Sequence, residues 1–190
     1  MATVAVVPAS TLTDGSSILL APSGCLGGPG KDTTSATLAC GAGFSSTHPT
    51  ATLVALALSR ITEIDAAAIQ VVHASLGSPE LYVDGKESAL ANTLNLANSL
   101  RFGAAQPTPP FYGFQGSRVA PGGSLTTWDA RVGTELLTTT FDQILPNGDL
   151  GGAAMANGRA YALVAIGASA SLPTAGFWKP FGYAAIRSDP

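Results

Sequence analysis

Charged side chains are scarce: Lys, Arg, Asp and Glu supply 11% of the 190 residues, where an ordinary soluble domain has about 25%. An enzyme draws its acids, bases and electrostatic stabilisers from such groups, so the sequence predicts a protein that is not an enzyme, with no catalytic residue and no cofactor. The nine basic residues run from Lys31 to Arg187 without clustering, and the net charge is −3. A nucleic-acid surface needs grouped Lys and Arg to displace counterions, so no nucleic-acid partner is expected. Long apolar runs are missing too. No stretch of about 18 residues is apolar enough for a membrane-crossing helix. Met1 to Pro8 contains no Lys or Arg, unlike the start of a signal peptide. If the protein is exported, the expected form is a processed one with a replacement Met. What is abundant argues against disorder: 46% of the residues are hydrophobic, enough to build a core. The length predicts one domain or slightly more.

Cysteine and histidine are almost absent, at two residues each. Cys25 and Cys40 enclose a segment of Gly, Ser, Thr and Pro, while His48 and His73 lie in unlike contexts, so no metal site is expected. One disulfide closing a flexible loop is the favoured reading, worth about 3 kcal/mol in the chain-entropy model. Two buried free thiols are the alternative. A disulfide persists in an oxidising compartment, which predicts an extracellular or cell-surface location.

The apolar periodicity is mostly two, and turn residues recur about every ten positions. Strands are predicted at 2–7, 17–20, 69–73, 81–83, 111–114, 125–132, 136–141, 161–166 and 183–186. The segment 50–59 reads as strand or helix. Asp84-Gly85 offers a tight hairpin turn, as do Asn147-Gly148 and Asn157-Gly158. Ser88 to Leu100 is compatible with a helix, since Leu90, Leu94, Leu96 and Leu100 fall partly at spacings of three and four. Many short strands without alternating helices predict an all-β fold, an antiparallel β-sandwich of immunoglobulin-like or transthyretin-like type. The sandwich is expected over 65–190, preceded by an irregular extension over 1–64 that carries strands and the Cys25/Cys40 loop. Tyr161-Ala-Leu-Val-Ala-Ile166 has no polar face and should be central, covered on both sides.

The run Ile69-Gln-Val-Val-His73-Ala-Ser75, followed after a short gap by Tyr82-Val-Asp-Gly85, resembles the opening signature of a family of secreted bacterial β-domains catalogued as domain of unknown function 4397. Weaker similarities follow at Phe102-Gly103, at Pro121-Gly-Gly123 and at Asn157-Gly-Arg-Ala-Tyr161. The likeness spans about residues 66–170. Leu76 stands where the family has proline, and the link from Pro79 to Tyr82 is shorter than usual. The resemblance implies export and a β-sandwich. It carries no catalytic residues.

Individual residues yield little chemistry. His73, Ser75 and Asp84 include the residue types of a catalytic triad, but no nucleophile elbow accompanies them; a histidine at a strand end bonding the following turn is the expected role. Asp142 and Asp149 near Pro146-Asn-Gly read as turn formers rather than calcium ligands. Phe111, Tyr112 and Phe114, in the proline-rigid segment 107–114, form with Trp128 a candidate ligand surface for carbohydrate or peptide. The alternative is that these aromatics cap the sandwich.

Two functions from different classes follow. The first is a structural or adhesive surface protein that self-assembles. Ala2, Val4 and Val6, in an apolar run at the chain end, are its candidate strand-donation residues, because an unpaired strand templates pairing with another chain; the other placement of this run is as an edge strand of its own sandwich. The second is a secreted ligand-binding module that uses the 107–114 segment.

Overall fold

The computed structural model describes residues 9, 15–25, 40, 43–45, 47–88, 93–114, 122–168 and 180–189. Ala2, Val4 and Val6 therefore lie outside the described residues. The strands are β1 (Ser17–Ser23), β2 (Thr52–Leu58), β3 (Ala67–His73), β4 (Glu80–Lys86), β5 (Leu94–Arg101), β6 (Ala105–Phe114), β7 (Ser124–Asp129), β8 (Thr134–Thr140), β9 (Arg159–Ile166) and β10 (Gly182–Arg187). A single helical turn, α1 (Phe141–Ile144), follows β8.

Two four-stranded sheets form a sandwich. Sheet I has the order β10-β9-β3-β6, and sheet II has the order β5-β4-β7-β8. Between them lies the main core: Ile69 and Val71 of β3, Leu163 and Ala165 of β9 and Tyr183 of β10 meet Leu81, Val83, Leu96, Leu100 and Leu125 of sheet II. Phe114 and Phe141 pack edge to face in this core with ring centroids 5.9 Å apart. The intervening residues of sheet I, including Val72, Ala162 and Val164, face the other way. They pack on Ala21, Val54 and Leu58 of the β1–β2 ribbon. Strands β3 and β9 are thus covered on both faces, which is why neither carries a polar stripe. Gln70 is the polar residue on the ribbon side of β3. Its side chain accepts from the Ser59 N–H at 2.9 Å and donates to the Pro107 carbonyl at 3.2 Å, so ribbon, β3 and β6 are stitched together.

The all-β sandwich expected from the sequence is present, with Val71, Val83, Leu163 and Val164 buried. Four local expectations need correction. The sheets are not wholly antiparallel, because β3 pairs with β9 in parallel register. Asp84-Gly85 is no hairpin turn; both residues lie inside β4. Gly85 is small because a Cβ there would come within 2.7 Å of Phe114 and 2.8 Å of Leu96. The segment 107–114 is not a loop but most of β6.

The fourth correction concerns the proposed helix, whose second half is β5. Against β4, Leu100 opposes Leu81, Ala97 opposes Val83 and Asn95 opposes Asp84. β5 thus carries two more residues than the β4 segment it faces, through two bulges, and Ser99 takes a positive φ of 50° beside one of them. Leu96, Ala97 and Leu100 are therefore buried together, while Asn98, which strict alternation would turn inward with Leu96 and Leu100, is exposed. A bulged strand has imitated helical spacing.

Cys25 and Cys40 form the disulfide, with Cα atoms 5.5 Å apart. It is buried against Phe44, Ala168 and Leu76. The Cys25 carbonyl accepts from the Thr50 and Ala51 N–H groups, both at 3.0 Å, and Thr50 Oγ1 donates to the Cys40 carbonyl. The cross-link thereby anchors the chain leaving β1 to the chain entering β2.

Candidate functional site

The motif residues around His73 assemble a buckle rather than a reaction centre. His73 is fully buried at the end of β3. Its Nε2 lies 2.8 Å from the Ser78 carbonyl, and its Nδ1 lies 3.1 Å from Ser75 Oγ and 3.3 Å from the Ser75 N–H. A neutral ring protonated on Nε2 satisfies all three contacts: it donates to Ser78 and accepts from Ser75. Burial drives the His73 pKa down to about 4, although the Ser78 bond and the charge of Asp129 act in the opposite direction. The Phe102 ring closes over the imidazole edge to face at 5.7 Å. Asp84 is elsewhere, accepting from Asn95 Nδ2 at 3.1 Å. The Ser75 hydroxyl is as enclosed as the ring, so the pair holds the 74–79 turn between the two sheets.

The carboxylates of the 146–149 turn are likewise in structural use. Asp149 accepts from the Arg187 N–H at 3.0 Å, and the Asn147 carbonyl accepts from the Ala185 N–H at 2.9 Å. The turn thereby lies along the outer side of β10. Gly148, at φ +112°, is forced by this approach, since a Cβ would fall 2.1 Å from the Ala185 carbonyl oxygen. Asp142 sits exposed in the first turn of α1. Among the described residues there is no cluster of three or more His, Cys, Asp or Glu side chains suited to a metal ion.

The ligand surface expected from the aromatics does not assemble as one patch. Phe114 is fully buried in the main core and presents nothing to solvent, because the strand parity of β6 turns it inward. The side chains of Phe111 and Tyr112 lie outside what is described. Trp128 is half-buried on the outer face of sheet II, edge to face with Tyr82 at 5.4 Å. Next to this pair runs a polar row in which Asn95 donates to Asp84 and Thr138 Oγ1 donates to Thr126 Oγ1 at 3.1 Å.

The four edges of the two sandwich sheets differ in how they are guarded. The 147–149 turn covers β10. Along β6, Pro107, Pro109 and Pro110 have no N–H to offer a new strand. The bulges bend β5, and its Asn98 N–H is taken by the Gln106 side chain at 3.0 Å. The fourth edge, β8, has the sequence Thr-Glu-Leu-Leu-Thr-Thr-Thr and keeps unbroken register with β7 from Leu137 to Thr140, after one shift near its start. The Phe141 N–H donates inward to the Gly123 carbonyl, so by alternation the main-chain groups of Thr138 and Thr140 face away from β7. Gln143 takes the Thr140 N–H at 3.1 Å. Among the described residues, no strand pairs with the outer side of β8.

A scan of protein-family models, a search of curated proteins and a search of solved structures each returned no match. Function therefore has to be argued from the geometry.

One cluster escaped the sequence reading, which found the basic residues scattered. Arg159 and Arg187 converge on Asp189: Arg159 Nη1 lies 2.9 Å from Oδ2, and Arg187 Nε lies 3.8 Å from Oδ1. The Ala160 N–H adds a bond at 2.9 Å. Burial opposes ionisation of Asp189, but the Ala160 amide and the two guanidinium groups outweigh it and hold the carboxyl below its ordinary value. Ser188 completes a terminal latch. Its N–H donates to Ala160, its hydroxyl donates to the Ser59 carbonyl at 2.8 Å, and its carbonyl accepts from the Ser17 hydroxyl. The readable clue was Arg187-Ser-Asp189, since a spacing of two on a strand places both charges on one face.

Proposed function

We propose that the protein is an extracellular or cell-surface structural and adhesive β-sandwich that assembles with copies of itself by β-strand addition. The acceptor is the outer side of β8, and the donor is the apolar run Ala2 to Val7 of another copy. The observation that carries this reading is the contrast between β8 and the three guarded edges: a turn covers one, prolines block one and bulges distort one. A strand that pairs across molecules without closing on itself builds a fibre. The buried disulfide supports an oxidising location, and the resemblance of His73-Ala-Ser75 and Tyr82-Val-Asp-Gly85 to secreted β-domains points the same way.

Light scattering and negative-stain microscopy of the full chain test the proposal against a truncated chain beginning at Leu12 and against Thr138→Pro. The full chain is expected to assemble at micromolar concentration, and both variants are expected to remain monomeric. A full chain that stays monomeric overturns the reading, as does equal assembly of all three.

A second reading, a carbohydrate-binding module, is favoured by the Tyr82–Trp128 pair beside the Asn95–Asp84 and Thr126–Thr138 row on the outer face of sheet II. Aromatic rings stack on sugar faces while amides, hydroxyls and carboxylates bond their hydroxyls. Saturable quenching of Trp128 fluorescence by soluble oligosaccharides, lost in Tyr82→Ala, is the expected result. Fluorescence unchanged across the oligosaccharides tried would remove it.

A further inference from the structure

An open groove of about 460 Å³ lies at the Asp189 end of the molecule, lined by Gly15, Arg60, Thr62, Gly158, Arg159 and Asp189. Its electrostatics run against those of the chain as a whole. Net charge is −3, yet among the described lining residues Arg60 and Arg159 stand beside a single carboxylate, Asp189, leaving one positive charge in excess. Asp189 is already committed to Arg159, Arg187 and the Ala160 N–H. Arg60 has no such partner among the described residues: its Nε is shut off from solvent and makes no hydrogen bond. A buried donor left unbonded is costly, and the guanidinium that carries it lines the groove with no carboxylate among the described residues to neutralise it. Glu63 and Asp65 follow on the same exposed turn but do not line the groove; the Glu63 carbonyl instead accepts from the Gly158 N–H at 3.0 Å.

We propose that this groove binds a sulfate or phosphate group, with Arg60 and Arg159 as its two guanidinium ligands and the Thr62 hydroxyl as a third donor. The excess positive charge calls for an anion, and two guanidinium forks converging on one groove suit the several oxygens of a tetrahedral oxyanion. The groove falls in the volume range of small-molecule sites, about 300–1,000 Å³, so it has room for more than a bare ion. Among the described residues, none of its lining side chains is aliphatic or aromatic. The carrier of the group is therefore hydrophilic, and a small sugar ester fits. The site is independent of the β8 edge and of any assembly made there.

Calorimetric titration of the full chain with sodium sulfate, sodium phosphate and glucose 6-phosphate, with ionic strength held constant by sodium chloride, tests the proposal. Saturable binding is expected for at least one of the three. Strength in the inorganic salts identifies a free ion as the ligand; strength confined to glucose 6-phosphate identifies the sugar ester. Arg60→Gln and Thr62→Glu are each expected to weaken binding by about tenfold or more, which is the loss of one charged hydrogen bond. Arg101→Gln, on the far side of sheet II, is expected to bind as the parent does. Thr62→Glu leaves Arg60 in place, so the test survives if Arg60→Gln folds poorly. No saturable binding beyond the chloride control overturns the proposal, and so does parental affinity in every folded groove variant.

Discussion

Thr127 Oγ1 and Tyr183 Oη lie 2.7 Å apart in the middle of the sandwich, joining β7 of sheet II to β10 of sheet I through a hydrogen bond that water does not reach. Burial pushes the Tyr183 hydroxyl well above its ordinary pKa, so it remains neutral at any physiological pH. Tyr183→Phe leaves the Thr127 hydroxyl without this partner and is expected to cost about 1–3 kcal/mol in urea unfolding. The double variant Tyr183→Phe with Thr127→Val is expected to be less destabilised than the two single losses added together. Strict additivity would mean that the two hydroxyls are not coupled.

His73 predicts an acid limb in the stability profile. The fold holds its pKa near 4, below the ordinary 6.5, so the neutral ring is the form that stabilises. That contribution is complete above about pH 6.5, declines as pH falls toward 4, and amounts to roughly 3 kcal/mol. Asp189, held below its ordinary value of 3.8, behaves as a stabilising carboxylate whose contribution is present above that value and is lost only at lower pH. Chemical unfolding between pH 7 and 4 is expected to show the His73 slope, and His73→Gln to flatten it. An unchanged slope in that variant would place the titration elsewhere.

The disulfide is expected to register as a loss of two hydrogens by mass under non-reducing conditions. Reduction is expected to lower stability by about 3 kcal/mol, the loop-closure value for a separation of 15 residues. Two freely alkylated thiols in natively purified protein would contradict the pairing.

Leu163 of β9 is fully buried in the main core. Leu163→Ala is expected to cost about 2–5 kcal/mol in a two-state melt. A loss under about half a kcal/mol would mean that the site collapses around the cavity.

Gly148→Ala combines a steric and a topological effect. The added methyl group meets the Ala185 carbonyl oxygen, and the backbone sits at φ +112°. The 147–149 turn is therefore expected to leave β10, lowering the melting temperature and producing concentration-dependent association through the uncovered edge. Unaltered melting and scattering would show that the turn tolerates the change.

Strands that alternate cleanly or are wholly apolar were legible. Leu81 and Val83 announce one buried face, and Tyr161 to Ile166 announces two. What misled was spacing without register: the bulges of β5 bury Leu96, Ala97 and Leu100 and expose Asn98, a pattern that a periodicity of two cannot represent. Asp84-Gly85 misled for a different reason, because the glycine there answers to Phe114 and Leu96 across the core rather than to a turn. The disulfide and the structural role of His73 could be read from local context. The arginine groove could not, since Arg60, Arg159 and Asp189 come from distant parts of the chain and meet only once β9 and the terminal latch are in place.

The parallel pairing of β3 with β9 fixes the order in which the molecule can be built. Residue 71 has its partner at residue 163, and sheet I is unfinished until residues 182–187 arrive. A chain emerging from its N-terminus can pair β3 with β6 first, while the other side of β3 waits for nearly a hundred residues. Such long-range closure is slow, because loop entropy is spent before any contact returns it. Ser188 and Asp189 then act as the last stitch, binding the start of β9 to the ribbon at Ser17 and Ser59. The last contacts of sheet I and of the ribbon therefore form only when residues 182–189 arrive, although sheet II is complete by residue 140.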